Sequence, residues 1–439
     1  MINICKLINP ILITKINRLK LKILVIGSGG REHSLVWAFS QNPKCKEIHC
    51  IPGNAGIKQL AICKDLNILD NGLIISYCKL NKIDFVVVGP EAPLANGLIN
   101  SLNKNNILSF GPTKEAAFLE SSKSFTKSIC DIKNIPTANY ILATSKEDAL
   151  NFIEKFVPPF VIKLDGLAAG KGVFILNKKS EAIEKIKNIY LKQNKKITLL
   201  IEEFLVGNEA SLFVVCNGKN FKLLGSAQDY KKIYDEDLGA NTGGMGAFSP
   251  ALNISQKVEK EILDKIVTPT LIEMDERGTP FSGILYAGLM ITHKGPKLIE
   301  YNVRLGDPEC QVIAIRLGAQ LLDALFYCST NEFSKIKINY ADDFGVTVVM
   351  ASGGYPNKYE TGFKIKGIEK FNNSTDIEIF HSGTKCIDEN IVTNGGRVLS
   401  ITSRSSNLND ARKKTYEVVD KINWENEFHR KDIAKKHTH

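Results

Sequence analysis

The sequence predicts a protein of mixed α/β and α+β class, with an N-terminal doubly wound parallel-sheet domain, a central region of paired strands and a small C-terminal α+β domain. Three observations predict this order. Four apolar strands near the N-terminus each end in a glycine loop. The stretch 159–176 then has the pattern of strand, glycine loop and strand. Beyond residue 336 the chain restarts with a new apolar strand and new glycine turns.

The composition is that of a globular protein. The chain has 439 residues, of which 44% are hydrophobic and 24% charged, a length that suits about two to four domains. The net charge of +10 is modest, and no arginine-rich arm accompanies it. No apolar run reaches the ~18 residues that a membrane span needs. We therefore expect no nucleic-acid partner and no membrane span.

The cysteines and the N-terminal residues bear on the compartment. Ten cysteines are scattered without a C-x-x-C pair or a histidine cluster, which disfavours zinc and disulfides and favours a reducing cytoplasm. The first 22 residues carry five basic and no acidic residues, and no small-residue cleavage site follows them. We interpret residues 1–21 as an extension, with an organelle transit peptide as the alternative.

The first strand, 22–26, opens into a glycine turn at 27–33. A helix follows, so unpaired N–H groups and the helix dipole point at the turn and predict an anion site. Glu32 stands where a dinucleotide fold has its third glycine, and Arg31 suits a single phosphate. A plain strand-to-helix turn is the alternative.

Further glycine loops follow strands at 52–56, 89–94 and 111–112. Loops at the carboxyl ends of parallel strands line the ligand crevice of such a sheet. Glu91 is the loop carboxylate that we expect to meet a ligand hydroxyl or amine, unless it only begins a helix. Helices are expected at 113–134 and 144–156.

The stretch 159–176 predicts a polyphosphate site. A strand ends near Lys163, and a loop of small residues, 165–172, follows and carries Lys171. Its glycines let backbone N–H groups approach an anion, and the lysines add charge. It is not a Walker A loop, because Gly172 stands where Ser or Thr should be. A tight β-hairpin without a ligand is the alternative.

Two segments after residue 196 predict further ligand contacts. Residues 197–212 have the pattern of strand, hinge and strand, in which peptide groups can read an adenine edge and Glu209 can hold ribose hydroxyls. Residues 228–250 form a long glycine-rich segment, which predicts an irregular functional loop. Gly243 and Gly244 in that segment favour a substrate or phosphate loop.

A hairpin at 283–302 ends in a candidate metal site. Glu300 and Asn302 are two residues apart on a strand and share one face. Two oxygen ligands in this arrangement suit Mg²⁺ bridging nucleotide phosphates. Arg304, next on that face if the strand continues, would meet charge developing on a transferring phosphoryl group. A surface ion pair is the alternative. The C-terminal strands and helix have few clustered titratable groups, so we expect them to complete a cleft.

In this order the motifs resemble the phosphoribosylamine–glycine ligase (glycinamide ribonucleotide synthetase) family of the ATP-grasp superfamily. The motifs are GSGGREH at 27–33, PGNAG at 52–56, VGPEAPL at 88–94, FGP at 110–112, IKLDGLAAGKGV at 162–173, IEEFLVGNEAS at 201–211, ANTGGMGAFSP at 240–250, IEYNVRLGDPE at 299–309, ASGGYP at 351–356 and TNGGRVL at 393–399. The resemblance covers about residues 22–433.

The resemblance implies a domain division. After the extension 1–21, it gives a sugar-phosphate-binding domain at 22–122, a two-lobed ATP-grasp domain at 123–336 with a small lid lobe at about 139–211, and a C-terminal α+β domain at 337–436. The segment between 175 and 197 is shorter than in the family, which predicts a nucleotide lid of altered mobility.

The resemblance also implies an ATP-dependent carbon–nitrogen ligase of purine biosynthesis. The γ-phosphoryl group of ATP passes to the carboxylate of glycine, and 5-phosphoribosylamine attacks the glycyl phosphate, giving glycinamide ribonucleotide, ADP and phosphate. Positioning and charge neutralisation supply the catalysis. The alternatives are another ATP-grasp ligase or carboxylase of purine metabolism and an inactive nucleotide-binding protein. We expect a cytoplasmic monomer.

Finally, the resemblance assigns roles to individual residues. ATP would contact Lys123, Lys163, Gly166, Gly170, Lys171, Gly172, Glu202, Glu203, Phe204, Leu205 and Glu209. Mg²⁺ or Mn²⁺ would bind Glu300 and Asn302. The substrates would contact Gly29, Gly30, Arg31, Glu32, His33, Gly53, Asn54, Glu91, Asp229, Gly243, Gly244, Arg304 and Asp307. Arg304, Lys171 and Asp307 are the candidate catalytic residues, with Arg304 and Asp307 assigned to the carboxylate and the amine of glycine.

Overall fold

The structure is a computed structural model that describes residues 20–167, 172–191, 197–330, 332–371 and 376–437. Nearly all of the predicted extension, 1–21, lies outside these ranges. So do Gly170 and Lys171 of the predicted phosphate loop.

The N-terminal domain is a five-stranded parallel sheet in the order β3-β2-β1-β4-β5, with β1 at its centre. Its strands are β1 (Leu21–Gly27), β2 (Cys45–Pro52), β3 (Ile62–Cys63), β4 (Phe85–Val88) and β5 (Ser109–Phe110). Its helices are α1 (Gly30–Ser40), α2 (Asn71–Asn81), α3 (Glu91–Ala95), α4 (Leu98–Lys104) and α5 (Phe118–Ser121). Ile23 and Val25 of β1 pack in one core with α1, whereas Leu24 and Ile26 pack in another with α2. Both faces of the sheet are therefore covered, and the predicted doubly wound sheet is confirmed.

A second, smaller sheet follows the helix α6 (Lys123–Lys133). Its order is β6-β9-β7-β8, and every pairing in it is antiparallel. Its strands are β6 (Tyr140–Ala143), β7 (Phe160–Leu164), β8 (Val173–Leu176) and β9 (Leu199–Glu203), and its helices are α7 (Lys146–Ile153) and α8 (Lys179–Leu191). Ile153, Phe160 and Ile186 are buried together between sheet and helices. We name this unit the small lobe.

The large sheet holds nine strands, in the order β16-β15-β10-β11-β14-β17-β21-β18 with β22 beside β17. These strands are β10 (Asn208–Asn217), β11 (Asn220–Asp229), β14 (Gly246–Ser249), β15 (Ser282–Thr292), β16 (Gly295–Asn302), β17 (Phe344–Ser352), β18 (Ile377–His381), β21 (Arg397–Ser405) and β22 (Glu427–Phe428). Two separate hairpins are β12 (Lys232–Tyr234) with β13 (Leu238–Asn241), and β19 (Thr384–Ile387) with β20 (Asn390–Thr393). The helices are α9 (Gln256–Ile262), α10 (Thr268–Glu276), α11 (Glu309–Leu317), α12 (Gln320–Cys328) and α13 (Leu408–Val419).

One expectation differs from this structure. The segment 228–250 is not irregular: β12 and β13 pair through Lys232 and Asn241, and β14 joins the large sheet. The strands beyond residue 336 continue the large sheet, because Ala247 of β14 pairs with Thr347 of β17. The small lobe ends with β9 and β10 belongs to the large sheet, so the predicted lid lobe at about 139–211 includes residues of both sheets.

Within the described ranges, no single helix has both the length and the apolar character of a membrane span. The helices α11 and α12 meet these two criteria only together, as a pair bent by 104°.

Candidate active site

The small lobe meets the large sheet along β16. The amide of Leu298 donates to the Pro136 carbonyl at 2.7 Å, and the Thr137 hydroxyl donates to the Leu298 carbonyl at 2.7 Å. Lys297 adds an ion pair to Glu203 at 3.0 Å. These contacts join the small lobe to the edge strand of the large sheet.

A buried carboxylate holds two lysines on the small-lobe side. Glu202 Oε2 lies 2.6 Å from Lys163 Nζ, and its Oε1 lies 2.5 Å from Lys127 Nζ. Burial alone would raise the pKa of Glu202, but the two lysines outweigh it and lower that pKa. The Glu202 side chain is therefore committed to positioning lysines, which leaves the peptide groups of the hinge after β9 to contact a ligand. The sequence reasoning missed Lys127, although it lies one helical turn from Lys123.

The loop after β7 begins with contacts to the start of α6. Asp165 accepts from the Lys123 amide at 2.6 Å and from the Ser124 hydroxyl at 2.5 Å, and Lys123 Nζ donates to the Gly166 carbonyl at 3.0 Å. Gly166 has φ +107°, and a Cβ there would meet no atom of the described residues within 4 Å. Burial lowers the pKa of Lys123, and the nearby charge of Glu300 opposes this. Sequence reasoning did not single out Asp165.

The end of β16 carries the predicted metal ligands. Asn302 Oδ1 accepts from Arg304 Nη2 at 3.1 Å. The charge of Glu300 acts on both Lys123 and Lys231. Within the part of the chain that the structure describes, no group of three or more His, Cys, Asp or Glu side chains could hold a metal. One carboxylate and one amide fit a magnesium-type ion that takes its other ligands from phosphates and water.

The hinge between β9 and β10 presents one aromatic residue to solvent. Glu203 accepts from the Asn139 amide at 3.1 Å and pairs with Lys297, so its side chain supports the hinge. Phe204 is 39% exposed and Leu205 half-buried. Glu209 pairs with Lys231 at 2.7 Å, and Lys231 lowers the pKa of its carboxyl.

Among the predicted substrate residues whose pKa is shifted, Asp229, at the end of β11, is the one with a pKa near neutrality. Burial raises its pKa to about 7, with Glu309 and Glu209 acting in the same direction and Lys231 opposing them. Its carboxylate lies 3.8 Å from Lys231 Nζ. Glu309 is itself buried and accepts from the Tyr286 hydroxyl at 2.7 Å.

Arg304 joins the N-terminal domain to β16. Its guanidinium lies 3.2 Å from Glu91 and 2.9 Å from Glu120. Burial would lower its pKa, but the charges of Glu120, Glu91 and Glu309 raise it. Glu120 also accepts from the Val303 amide at 2.9 Å, so it fixes both the side chain and the backbone here. Sequence reasoning placed Glu120 in a helix and gave it no role.

Asp307 is held by the C-terminal region. Its carboxylate lies 3.2 Å from Arg397 Nη1 and accepts from Gln311 Nε2 at 2.9 Å. Burial acts to raise its pKa, but Arg397 and Arg31 lower it. Arg397 also reaches the Gly243 carbonyl at 2.8 Å. The structure thus brings together Asp307 and Gly243, which are both predicted substrate residues, through Arg397, which sequence reasoning quoted only as part of a motif.

The three side chains predicted in the turn 27–33 to contact a substrate make bonds within the protein. Glu32 Oε2 accepts from the Gly29 amide at 2.7 Å, and its Oε1 pairs with Arg31 Nε at 2.6 Å. His33 Nδ1 accepts from the His381 amide at 2.7 Å. Arg31, Glu32 and His33 are all buried. These bonds fix the turn, and a role of the three side chains in binding a substrate stays a prediction.

The glycines of this turn make room for Glu32. A Cβ on Gly27 would lie 2.5 Å from Glu32 Cδ, and a Cβ on Gly89 would lie 2.7 Å from the same atom. Asn54 is held in a similar way, since its amide donates to the carbonyls of Ser28 and His381 at 2.8 and 2.7 Å.

Comparisons with known proteins agree with this architecture. Three family models of phosphoribosylglycinamide synthetase match the chain in order: the N domain at residues 21–120, the ATP-grasp (A) domain at 121–310 and the C domain at 345–436. A phosphoribosylamine–glycine ligase of Agrobacterium fabrum is 43% identical over 416 residues, which cover 94% of this chain and 98% of the relative.

Two other relatives are similar along most of their length. A chloroplastic phosphoribosylamine–glycine ligase of Arabidopsis thaliana is 44% identical over 414 residues, covering 92% of this chain and 78% of the relative. A crystal structure of the phosphoribosylamine–glycine ligase of Thermotoga maritima superposes with a TM-score of 0.82 at 36% identity. It covers 94% of this chain and 100% of that one.

Proposed function

The chain belongs to the phosphoribosylglycinamide synthetase family, and we propose that it acts as a phosphoribosylamine–glycine ligase with its nucleotide in the cleft between the small lobe and β16. The observation that supports this placement most strongly is the meeting of opposite charges there. Lys123 and Lys163 come from the small-lobe side, Glu300 comes from the large sheet, and no described residue lies within 4 Å of a Cβ built on Gly166.

ATP would lie with its phosphates toward Lys123 and Lys163. Glu202 and Lys127 keep Lys163 in place, so its ammonium is ready before the nucleotide enters. Gly166 gives the loop close backbone approach, and Gly170, Lys171 and Gly172 would complete the cover over the phosphates. The hinge 202–205 would read adenine, and Glu209 would hold the ribose.

Glu300 and Asn302 would hold the divalent ion, Mg²⁺ or Mn²⁺. When bound, this ion neutralises charge on the phosphates during transfer. The family's ATP-grasp domain supports a need for ATP and a divalent ion; the choice of metal is our proposal. Asn302 is oriented by Arg304, so the ligand and the arginine would respond together to a change in either.

Glycine would lie near Arg304 and Asp307. Arg304 would face the glycine carboxylate that receives the phosphoryl group, and Asp307 would hold the glycine amine. The amine of 5-phosphoribosylamine then attacks the carbonyl of glycyl phosphate, loses a proton and releases phosphate as the amide forms. Asp229, with a pKa of about 7, lies among the substrate residues. The sugar phosphate would meet the main chain of Gly29, Gly30 and Gly53, with Glu91 nearby.

We further propose a monomer in the cytoplasm that needs no nucleic acid and no membrane. The modest charge and the scattered cysteines support this. A matched pair of sedimentation runs, with and without substrates, would test the monomer.

The proposed function is tested by measuring whether release of ADP depends on glycine. Purified protein is given ATP, Mg²⁺ and 5-phosphoribosylamine, with or without glycine, and ADP and phosphate are measured. We expect one ADP and one phosphate per amide formed, and only background ADP without glycine. Release of ADP at the same rate without glycine, or with another carboxylate in its place, would contradict the proposal.

A further inference from the structure

Arg397, the first residue of β21, reaches out of the C-terminal region with a single nitrogen. Its Nη1 donates to the Asp307 carbonyl at 2.6 Å and to the Gly243 carbonyl at 2.8 Å, and it lies 3.2 Å from Asp307 Oδ1. The side chain is 22% exposed. Three acceptors from two different segments therefore converge on one donor group.

The segment with Gly243 and Gly244 packs closely against Arg397 and the segment with Asp307. Gly243 donates its amide to the Tyr355 hydroxyl at 3.0 Å, and Gly244 donates to Thr242 Oγ1 at 3.0 Å. A Cβ on Gly243 would lie 3.0 Å from Arg397 Cζ. Gly244 has φ +111°, and a Cβ there would clash with Pro308. The glycine pair thus lies flat against Arg397 and the segment that begins α11.

The rest of the Asp307 surroundings does not replace this contact. Gln311 holds Oδ1 at 2.9 Å, and the Arg31 amide reaches Oδ2 at only 3.5 Å. Neither group touches Gly243. Without Arg397, the Asp307 carboxylate and the glycine loop lose the one described side chain that bonds to both.

We propose that Arg397 is a positioning residue that sets the affinity for glycine by holding Asp307 and the Gly243–Gly244 loop together as one wall of its subsite. The inference rests on the proposed function, which places the amine of glycine against Asp307. It predicts an effect on glycine and not on the nucleotide, because the nucleotide residues Lys123, Lys163 and Glu300 have no contact with Arg397 among the described hydrogen bonds and ion pairs.

A conservative substitution of Arg397 should restore most of the contact. All three acceptors meet one nitrogen, so a lysine ammonium with three donors can serve them, whereas methionine fills the space without donating. Arg404 offers a matched control, because it lies on the same strand β21 and pairs at 3.5 Å with Asp376, away from the glycine loop.

The test measures KM for glycine and for ATP, kcat and Tm in the full-length protein and in R397M, R397K and R404M. We expect R397M to raise KM for glycine about 10-fold or more, the range seen when a supporting residue is lost. KM for ATP should stay within about 2-fold, R397K should recover most of the loss, and R404M should behave as the parent.

Three results would overturn the inference. They are an unchanged KM for glycine in R397M, equal increases in KM for glycine and ATP, and a loss in R404M as large as in R397M. If R397M does not fold, Y355F removes the other side-chain partner of Gly243 and should raise KM for glycine alone; no increase overturns the inference. A parent protein that shows no glycine-dependent ADP release overturns the proposed function, and this inference with it.

Discussion

Two glycine-rich turns of this protein have a similar composition, but they differ in what lies beside their glycines. In the turn 27–33 the space beside the glycines is filled by Glu32, which caps α1 and pairs with Arg31. In the loop after β7, no described residue lies within 4 Å of a Cβ built on Gly166. Both have the composition of an anion site, and among the described residues only the second has open space beside its glycine. Glycine therefore marks close approach of the backbone, and the tertiary structure decides whether a side chain or a ligand makes that approach.

The largest effect should come from removing the Glu32 side chain, which fills the space beside the glycines of the first turn. In E32A, Arg31 loses its ion-pair partner and the Gly29 amide loses its acceptor, both in a buried place. We expect the free energy of unfolding to fall by about 3–5 kcal/mol, measured by urea denaturation. E47A, which removes a half-buried carboxylate from β2, should reduce the free energy of unfolding much less. Similar losses of unfolding free energy in E32A and E47A would contradict a structural role of Glu32 in the turn.

The cleft should respond in turnover and not in stability. E300Q keeps the shape of the side chain but removes the charge proposed to bind the metal. We expect turnover to fall by about 100-fold or more while Tm stays close to that of the parent. E184Q, on the exposed surface of α8, is the control. Near-normal turnover of E300Q would remove Glu300 from the metal site.

The two turns can be compared by adding one methyl group at Gly89, which follows β4 and contacts Glu32 of the first turn, and one at Gly166 in the second. Gly89 has no positive φ, so G89A tests only the clash with Glu32, and we expect a loss of about 2–3 kcal/mol in unfolding free energy. Gly166 has no clash with a described residue but has φ +107°, so G166A should cost about 1–2 kcal/mol and raise KM for ATP. Denaturation curves and ATP titrations measure both. A G89A that binds ATP poorly beside a G166A that binds it normally would reverse the comparison.

The smallest expected effect is a pH dependence of the free energy of unfolding, caused by two buried histidines at the turn 27–33. Burial lowers the pKa of His381 to about 4, and it also lowers the pKa of His33 well below its usual value. The unfolded chain takes up protons below pH about 6.5 while the folded chain does not, so stability is complete above that pH and is lost as pH falls toward 4. We expect His381 to contribute a loss of about 1–2 kcal/mol between pH 7 and pH 5.

This pH dependence has its own control. H381Q should show a shallower change in unfolding free energy between these two pH values, whatever its stability at pH 7. An equally steep change in H381Q would assign the effect to other groups.

Local sequence predicted the strands that carry these sites well. The four strands predicted in the parallel sheet and the hairpin at 283–302 have clear apolar patterns, and the structure confirms them, whereas the two-residue strand β3 was not predicted. The pairing of β14 with β17 joins residues about a hundred positions apart, and no local pattern carries it. The hairpin of β12 and β13 was missed because β13 is exposed along its whole length and lacks the alternation that marks a strand.

The residues of the candidate site also differ in how far the sequence predicts them. The spacing of Glu300 and Asn302 predicts that they share one strand, and both lie in β16; their role as metal ligands stays a prediction. Residues that hold another residue could not be predicted, because Glu120 and Arg397 make their contacts only when distant segments meet. The contacts of Gly89 and His381 with the turn 27–33 are visible only in the fold for the same reason.

Hydrogen exchange with a non-hydrolysable ATP analogue and Mg²⁺, without the other substrates, tests the comparison most directly. The account predicts slower exchange in the peptides that contain Lys163–Gly166 and the hinge 202–205, and no change in the peptide that contains Gly27–His33. Slower exchange confined to Gly27–His33, with none at Lys163–Gly166, would contradict it.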